Sequence, residues 1–176
     1  MQQRLLSALI LSIWALGAPN TWGLEIPATP PSLARLGPQE LAVIINDLDP
    51  LSRKIGDYYQ TQRHIPETNM IHLRFEPGKP NLPRAEFNRL KAEVDRQTPA
   101  RIQAYALTWA APYRVDCMSI TTAFGAGFDP QFCSTNCGKT RLSPYFNSNS
   151  QAPYTDFKIR PAMSLAATDF VAAKNL

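Results

Sequence analysis

A chain of 176 residues with 18 Lys and Arg against 14 Asp and Glu carries a formal charge of +4, with the basic residues scattered among acids rather than gathered in runs. That is the pattern of a solvated surface, and it excludes the concentrated basic face that nucleic-acid binding requires.

Arg4 supplies a short positive start, and Leu5 to Ala18 (LLSALILSIWALGA) is an apolar stretch of 14 residues. A membrane span needs about 20, so the pattern predicts a secretory signal peptide, with an uncleaved N-terminal anchor as the alternative. Cleavage is expected after Gly17 or Gly23, because Pro19 argues against cutting after Ala18; we take the segment as 1–23. No cysteine lies near it, which argues against a lipid anchor. Its removal leaves 153 residues and lowers the charge to +3, because Arg4 goes with it. No transmembrane segment is expected in the mature chain, and 153 residues suffice for one domain with a real core.

Residues 24–39 form a lead-in, in which Glu25 to Pro38 holds four of the 16 prolines and reads as extended chain. A single α/β domain is expected over 40–176. Leu41 to Ile45 (LAVII) is a continuous apolar run, as suits a strand covered on both faces. Asp49 as N-cap with Pro50 at the first helical position then starts a helix, buried through Leu51, Ile55, Tyr58 and Tyr59. Pro66 stops it near Arg63 or His64. Met70 to Phe75 predicts a second strand, with Ile71, Leu73 and Phe75 on one face and Met70, His72 and Arg74 on the other. A Pro/Gly-rich turn follows, then a helix from about Pro83 to Gln97 with Phe87, Leu90 and Val94 inward, and a third strand from Ile102 to Trp109.

Helical connections between strands imply right-handed parallel crossovers, so the three strands end on one edge. The fold class is therefore α/β, a short parallel sheet flanked by helices in three layers, of Rossmann-like or caspase-like topology. The ligand crevice of such a sheet lies at its carboxyl edge, which makes Asn46, Asp47, Arg74, Trp109, Tyr113 and Arg114 the ligand-edge candidates. Asp47 and Asp49 together offer hard oxygen ligands for a divalent cation. A capping role for Asp49 and a turn role for Asp47 account for them without a metal, and no metal site is assigned.

Residues 110–160 have almost no periodicity. Structureless loops beyond about 15 residues are uncommon, so this stretch is expected to form a lid, subdomain or insertion packed on the strand ends. Most of its rings (Tyr113, Phe124, Phe128, Phe132, Tyr145, Phe146, Tyr154 and Phe157) are expected to make a small core. Gly125-Ala126-Gly127 is too short a cluster, without a leading strand, to be a phosphate loop. Met163 to Asn175 has helical apolar spacing, which predicts a last helix.

Cys117, Cys133 and Cys137 make an odd count, for which one disulfide and one free thiol is the simplest arrangement. Cys117 with Cys133 closes a loop of about 15 residues, worth roughly 3 kcal/mol; a bond that includes Cys133 is favoured, leaving Cys117 or Cys137 free. A zinc site of thiolates and a histidine is the alternative. Thiol catalysis would need a histidine in reach. His64 falls at a helix end, whereas His72 lies close enough to its strand end to approach the crevice.

The phrases LAVIINDLDPLS, PYRVDCMSITTAF, SPYFNS and PYTDFKIRPAM resemble those of an uncharacterised family of exported bacterial proteins, over roughly residues 40–170. The resemblance implies that this chain corresponds to the N-terminal part of a longer type, truncated at the C-terminus; it implies no reaction. The architecture is similar to that of caspase-like peptidases, but those place a His-Gly pair after a strand whose counterpart here, the loop after Trp109, has no histidine. No Gly-x-Ser-x-Gly elbow, Walker loop or His-Glu-x-x-His occurs. The chain is thus expected to be an exported, periplasmic or extracellular protein acting as a binding or envelope-associated module for an unknown small molecule or envelope component. The alternatives are a metal-dependent or thiol-based hydrolase with its site at the strand ends, and a fragment without activity. No particular cofactor is implied.

Overall fold

A computed structural model of the chain describes residues 36–134 and 136–175. The expected signal peptide, and residues 24–35 of the lead-in, lie outside the described residues.

The first strand, β1 (Leu41–Asn46), is buried from Ala42 onward, as its unbroken apolar run requires. Asp49 accepts from the Leu51 amide at 2.9 Å and opens α1 (Pro50–Arg63) with Pro50 at its start. Helix α1 ends at His64, whose left-handed backbone (φ 54°) turns the chain toward Pro66. Strand β2 (Met70–Leu73), helix α2 (Arg84–Gln97) and strand β3 (Ala104–Leu107) follow. Phe87, Leu90 and Val94 are the buried residues of α2, as their spacing predicts.

A two-stranded antiparallel hairpin, β4 (Arg114–Val115) and β5 (Met118–Ser119), then leads into α3 (Ile120–Ala126). The remaining elements are α4 (Pro153–Phe157), β6 (Ala162–Ser164) and α5 (Phe170–Ala173). The main sheet has four strands in the order β2-β1-β3-β6, with every neighbouring pair parallel. This is an α/β fold.

The layering follows from handedness. Going from β1 to β2 moves one way across the sheet, and from β2 to β3 the other way, so right-handed crossovers place α1 and α2 on opposite faces. The step from β3 to β6 keeps the second direction, which puts α3 on the face of α2. The packing agrees. Ala42, Ile44, Ile71, Leu73, Tyr105 and Leu107 share one core with Phe87, Leu90, Phe124 and Val115, while Val43, Ile45 and Ala106 pack with Ile65 and Tyr59 on the other face. Gly56 lets α1 approach closely, because a Cβ there would lie 2.6 Å from Ile45 Cδ1.

Two expectations need correction. The stretch Met163 to Asn175 is not one helix: Ala162–Ser164 pairs with Tyr105–Leu107 as the edge strand β6, and only Phe170–Ala173 is helical, restarted by Asp169, which accepts from the Ala172 amide at 2.8 Å. The apolar spacing fits either period, and the open edge of β3 offered backbone partners that a helix would have left unused. The rings of 110–160 do not form a core of their own either. Phe124 is fully buried in the main core, Phe128 and Phe132 pack against it half-buried, and Tyr145 tilts against Phe157, whereas Tyr113 and Phe146 are exposed.

Cys117 and Cys133 form a disulfide with a Cα–Cα distance of 5.6 Å, and Cys137 is free and exposed. The bond clips the β4–β5 hairpin to the short turn of 3₁₀ helix at Pro130–Phe132. It takes two of the three thiolates that a zinc site would need.

Candidate functional site

The carboxyl edge of the sheet is organised by one buried asparagine. The Asn46 side-chain amide donates to the Phe75 carbonyl at 2.9 Å, while its oxygen accepts from the amides of Leu48 (3.1 Å) and Phe75 (3.3 Å). It therefore stands in for a peptide group: it prolongs the pairing of β1 with the chain beyond β2 while β1 itself turns away. The Asn46 amide donates to Ser52 Oγ at 2.9 Å, Ser52 Oγ lies 2.6 Å from Thr108 Oγ1, and Thr108 Oγ1 donates to the Ile44 carbonyl at 3.1 Å. Since the single Thr108 proton goes to Ile44, Ser52 is the donor to Thr108. This chain of hydrogen bonds ties the first turn of α1 to β1 and β3, across the point where the strand order reverses and where open α/β sheets hold ligands.

Two ligand-edge candidates accordingly serve the scaffold. Asn46 is wholly buried with its amide spent on backbone groups. Trp109 is 2% exposed, donates from Nε1 to the Pro112 carbonyl at 3.0 Å, and packs edge-on against Phe75 and Phe124. Neither presents a polar group to a ligand, because each had buried backbone or aromatic partners to satisfy.

Asp47 and His72 behave differently. The Asp47 carboxylate oxygen lies 2.7 Å from His72 Nδ1, and the two side chains are 26% and 47% exposed. The register explains the meeting: Ile45 pairs with His72, and Asp47, two residues past Ile45, lies on the same face as Ile45 and His72. An ionised carboxylate only accepts, so the neutral imidazole carries its proton on Nδ1 and its Nε2 lone pair is left without a hydrogen-bond partner among the described residues. Arg74, two residues beyond His72 and on the same side of the alternating chain, is exposed.

Tyr113 and Arg114 belong to a second part of the edge. Tyr113 is 55% exposed, and its amide donates to the Pro80 carbonyl at 3.1 Å; Arg114, also exposed, bridges to Asn81 and its carbonyl accepts from the Leu82 amide at 2.9 Å. Their backbone ties run to the 80–82 loop, not to the Asp47–His72 corner.

Asp49 is occupied as the cap of α1. Among the described residues no group of three His, Cys, Asp or Glu gathers as metal ligands do, so Asp47, Asp49 and His72 do not converge on one point. Cys137, the free thiol, makes no hydrogen bond to a histidine. The sequence had singled out Asp47 and His72 separately; what joins them is strand register.

No helix among the described residues is long and apolar enough to cross a membrane. Comparison with protein-family profiles, curated proteins and solved structures finds no match for this chain.

Proposed function

We propose that the protein is an exported binding module that takes a polar, hydroxyl-bearing ligand, an envelope component or a small molecule, at the carboxyl edge of its sheet. The observation that carries the reading is the Asp47–His72 pair, 2.7 Å apart and open to solvent. With its Nδ1 proton spent on Asp47, His72 offers a fixed acceptor at Nε2, and Arg74 beside it favours a ligand with negative charge. Export accords with the Cys117–Cys133 disulfide, since such bonds persist in oxidising compartments. The resemblance of its phrases to those of exported bacterial proteins points the same way.

Titration of the mature protein with soluble peptidoglycan fragments and with acidic oligosaccharides, followed by calorimetry, tests the reading. Binding that is lost in both His72→Ala and Arg74→Ala is the expected result. Binding unchanged in these variants would place the ligand elsewhere.

The same pair favours a second reading, a hydrolase in which His72, oriented by Asp47, takes a proton from an attacking water. Turnover of chromogenic esters or phosphoesters that disappears in His72→Ala and falls in Asp47→Asn would establish it. Absence of turnover alongside ligand binding would leave the module reading standing.

A further inference from the structure

At the amino edge of the sheet, opposite the Asp47–His72 corner, lies a second polar feature. Arg160 precedes β6 and is only 5% exposed. Its Nε donates to the Ile102 carbonyl at 2.9 Å, and Nη2 lies 3.5 Å from the Pro99 carbonyl. The guanidinium sits 3.2 Å from the centre of the Tyr154 ring and 5.6 Å from that of Tyr105. No carboxylate lies within ion-pair distance of it among the described residues. A buried cation without an anion is costly, and aromatic faces offset only part of that cost.

Nη1 of Arg160 makes no hydrogen bond, yet no buried side-chain nitrogen or oxygen is left unpartnered among the described residues. It follows that Nη1 is not fully buried, and Arg160 lines the open space beside it. That space is a groove of about 510 Å³ lined by Lys91, Asp95, Gly127, Tyr154, Lys158 and Arg160. Asp95 and Lys91 satisfy each other at 2.5 Å. Lys158, whose ammonium is 5.1 Å from the Tyr154 ring centre and donates to the Thr155 carbonyl at 3.5 Å, has no carboxylate partner among the described residues. The groove thus holds two uncompensated positive charges, one of them immobilised by burial and stacking.

Gly125 fixes this arrangement. Its carbonyl accepts from the Arg160 amide at 2.9 Å, and a Cβ at Gly125 would come within 2.5 Å of the Arg160 carbonyl oxygen. Only glycine allows the end of α3 to press against the Arg160 backbone, which fixes the point from which its side chain starts.

We propose that this groove binds a small organic oxyanion, a carboxylate or a phosphate ester, gripped by Arg160 Nη1 and Lys158 with Tyr154 as its apolar wall. A guanidinium presents paired N–H donors to either anion. The volume falls within the range of about 300–1,000 Å³ typical of small-molecule sites and leaves room for an organic body beyond the anionic group. The site is separate from the carboxyl edge, and its ligand is independent of the one proposed there.

Calorimetric titration of the full mature protein with inorganic phosphate and, separately, with succinate tests the proposal. Saturable binding of either anion is expected, weakened about tenfold in Lys158→Ala and in Arg160→Lys, which keeps the charge but loses the paired donors. Tighter binding of phosphate identifies a phosphate ester as the ligand class, and tighter binding of succinate a carboxylate. Lys158→Ala alters an exposed side chain, so the test does not depend on Arg160→Lys folding. Failure of both anions to bind the wild-type protein, or binding indifferent to Lys158→Ala in a folded variant, would overturn the proposal. His72→Ala is expected to leave anion binding at this groove unchanged.

Discussion

The two edges of the sheet treat charge in opposite ways. At the carboxyl edge Asp47 and His72 sit beside each other and are open to water, while the buried polar groups behind them, Asn46, Ser52 and Thr108, satisfy one another and the backbone. At the amino edge Arg160 is buried without a carboxylate and relies on carbonyls and ring faces. Gln103, the residue just before β3, is fully engaged: it accepts from the amides of Tyr154 and Thr155 at 2.9 and 3.2 Å and so anchors α4. The contrast teaches that burial alone does not mark a scaffold residue. Asn46 and Arg160 are both buried, but only Asn46 has every polar atom spent.

The largest effect expected concerns the hairpin on the carboxyl side. Replacing Cys117 and Cys133 by serine releases a loop with a sequence separation of 16 and should lower stability by about 3 kcal/mol in denaturant unfolding. The NMR signals of His72 should stay in place, because Tyr113 and Arg114 are tied to the 80–82 loop rather than to the Asp47–His72 corner. A large shift at His72 would join the two parts of the edge.

Next in size is the division of labour between two nearby acids. Asp49→Ala removes the cap of α1 and should cost about 1 kcal/mol. Asp47→Ala breaks only a solvent-exposed pair, for which a loss of at most about 0.5 kcal/mol is expected. Equal losses would mean that Asp47 belongs to the scaffold too.

An effect of similar size bears on the amino edge. Burial pushes the Tyr105 phenol above its ordinary value of 10.0, against the opposing pull of the Thr98 hydroxyl and the Arg160 guanidinium. In the unfolded chain the phenol ionises at about 10, whereas in the native protein it keeps its proton to higher pH. Its contribution to stability is therefore complete below pH ~10 and is lost as pH rises through the native pKa. Tyr105→Phe should flatten that alkaline decline, at a cost of about 1 kcal/mol near neutrality for the lost hydrogen bond to Thr98. An unchanged alkaline slope would mean that this phenol is hydrated in the native state.

The sequence carried the fold where burial or capping left one choice. Ala42 to Ile45 had to be covered on both faces, and Asp49-Pro50 had to open a helix. It failed at Ala162–Ser164, since an edge strand with Met163 52% exposed carries no run of buried residues to distinguish it from a helix. The candidate site was legible in pieces. Asp47 and His72 could each be placed near the crevice, but their contact depends on Ile45 pairing with His72, and a register is a property of two strands together. The scaffold contacts of Asn46 and Trp109 are hidden for a related reason: an asparagine that mimics a peptide group reads like a turn residue, and the carbonyl that holds the Trp109 indole is set by the loop's path.

Asp47 fixes the His72 tautomer, leaving Nε2 as an acceptor. Nitrogen-15 NMR of the imidazole at a pH where it is neutral tests this most directly. The tautomer protonated at Nδ1 is expected in the wild type, and the ordinary Nε2-protonated form in Asp47→Ala. An Nε2-protonated His72 in the wild-type protein would contradict it.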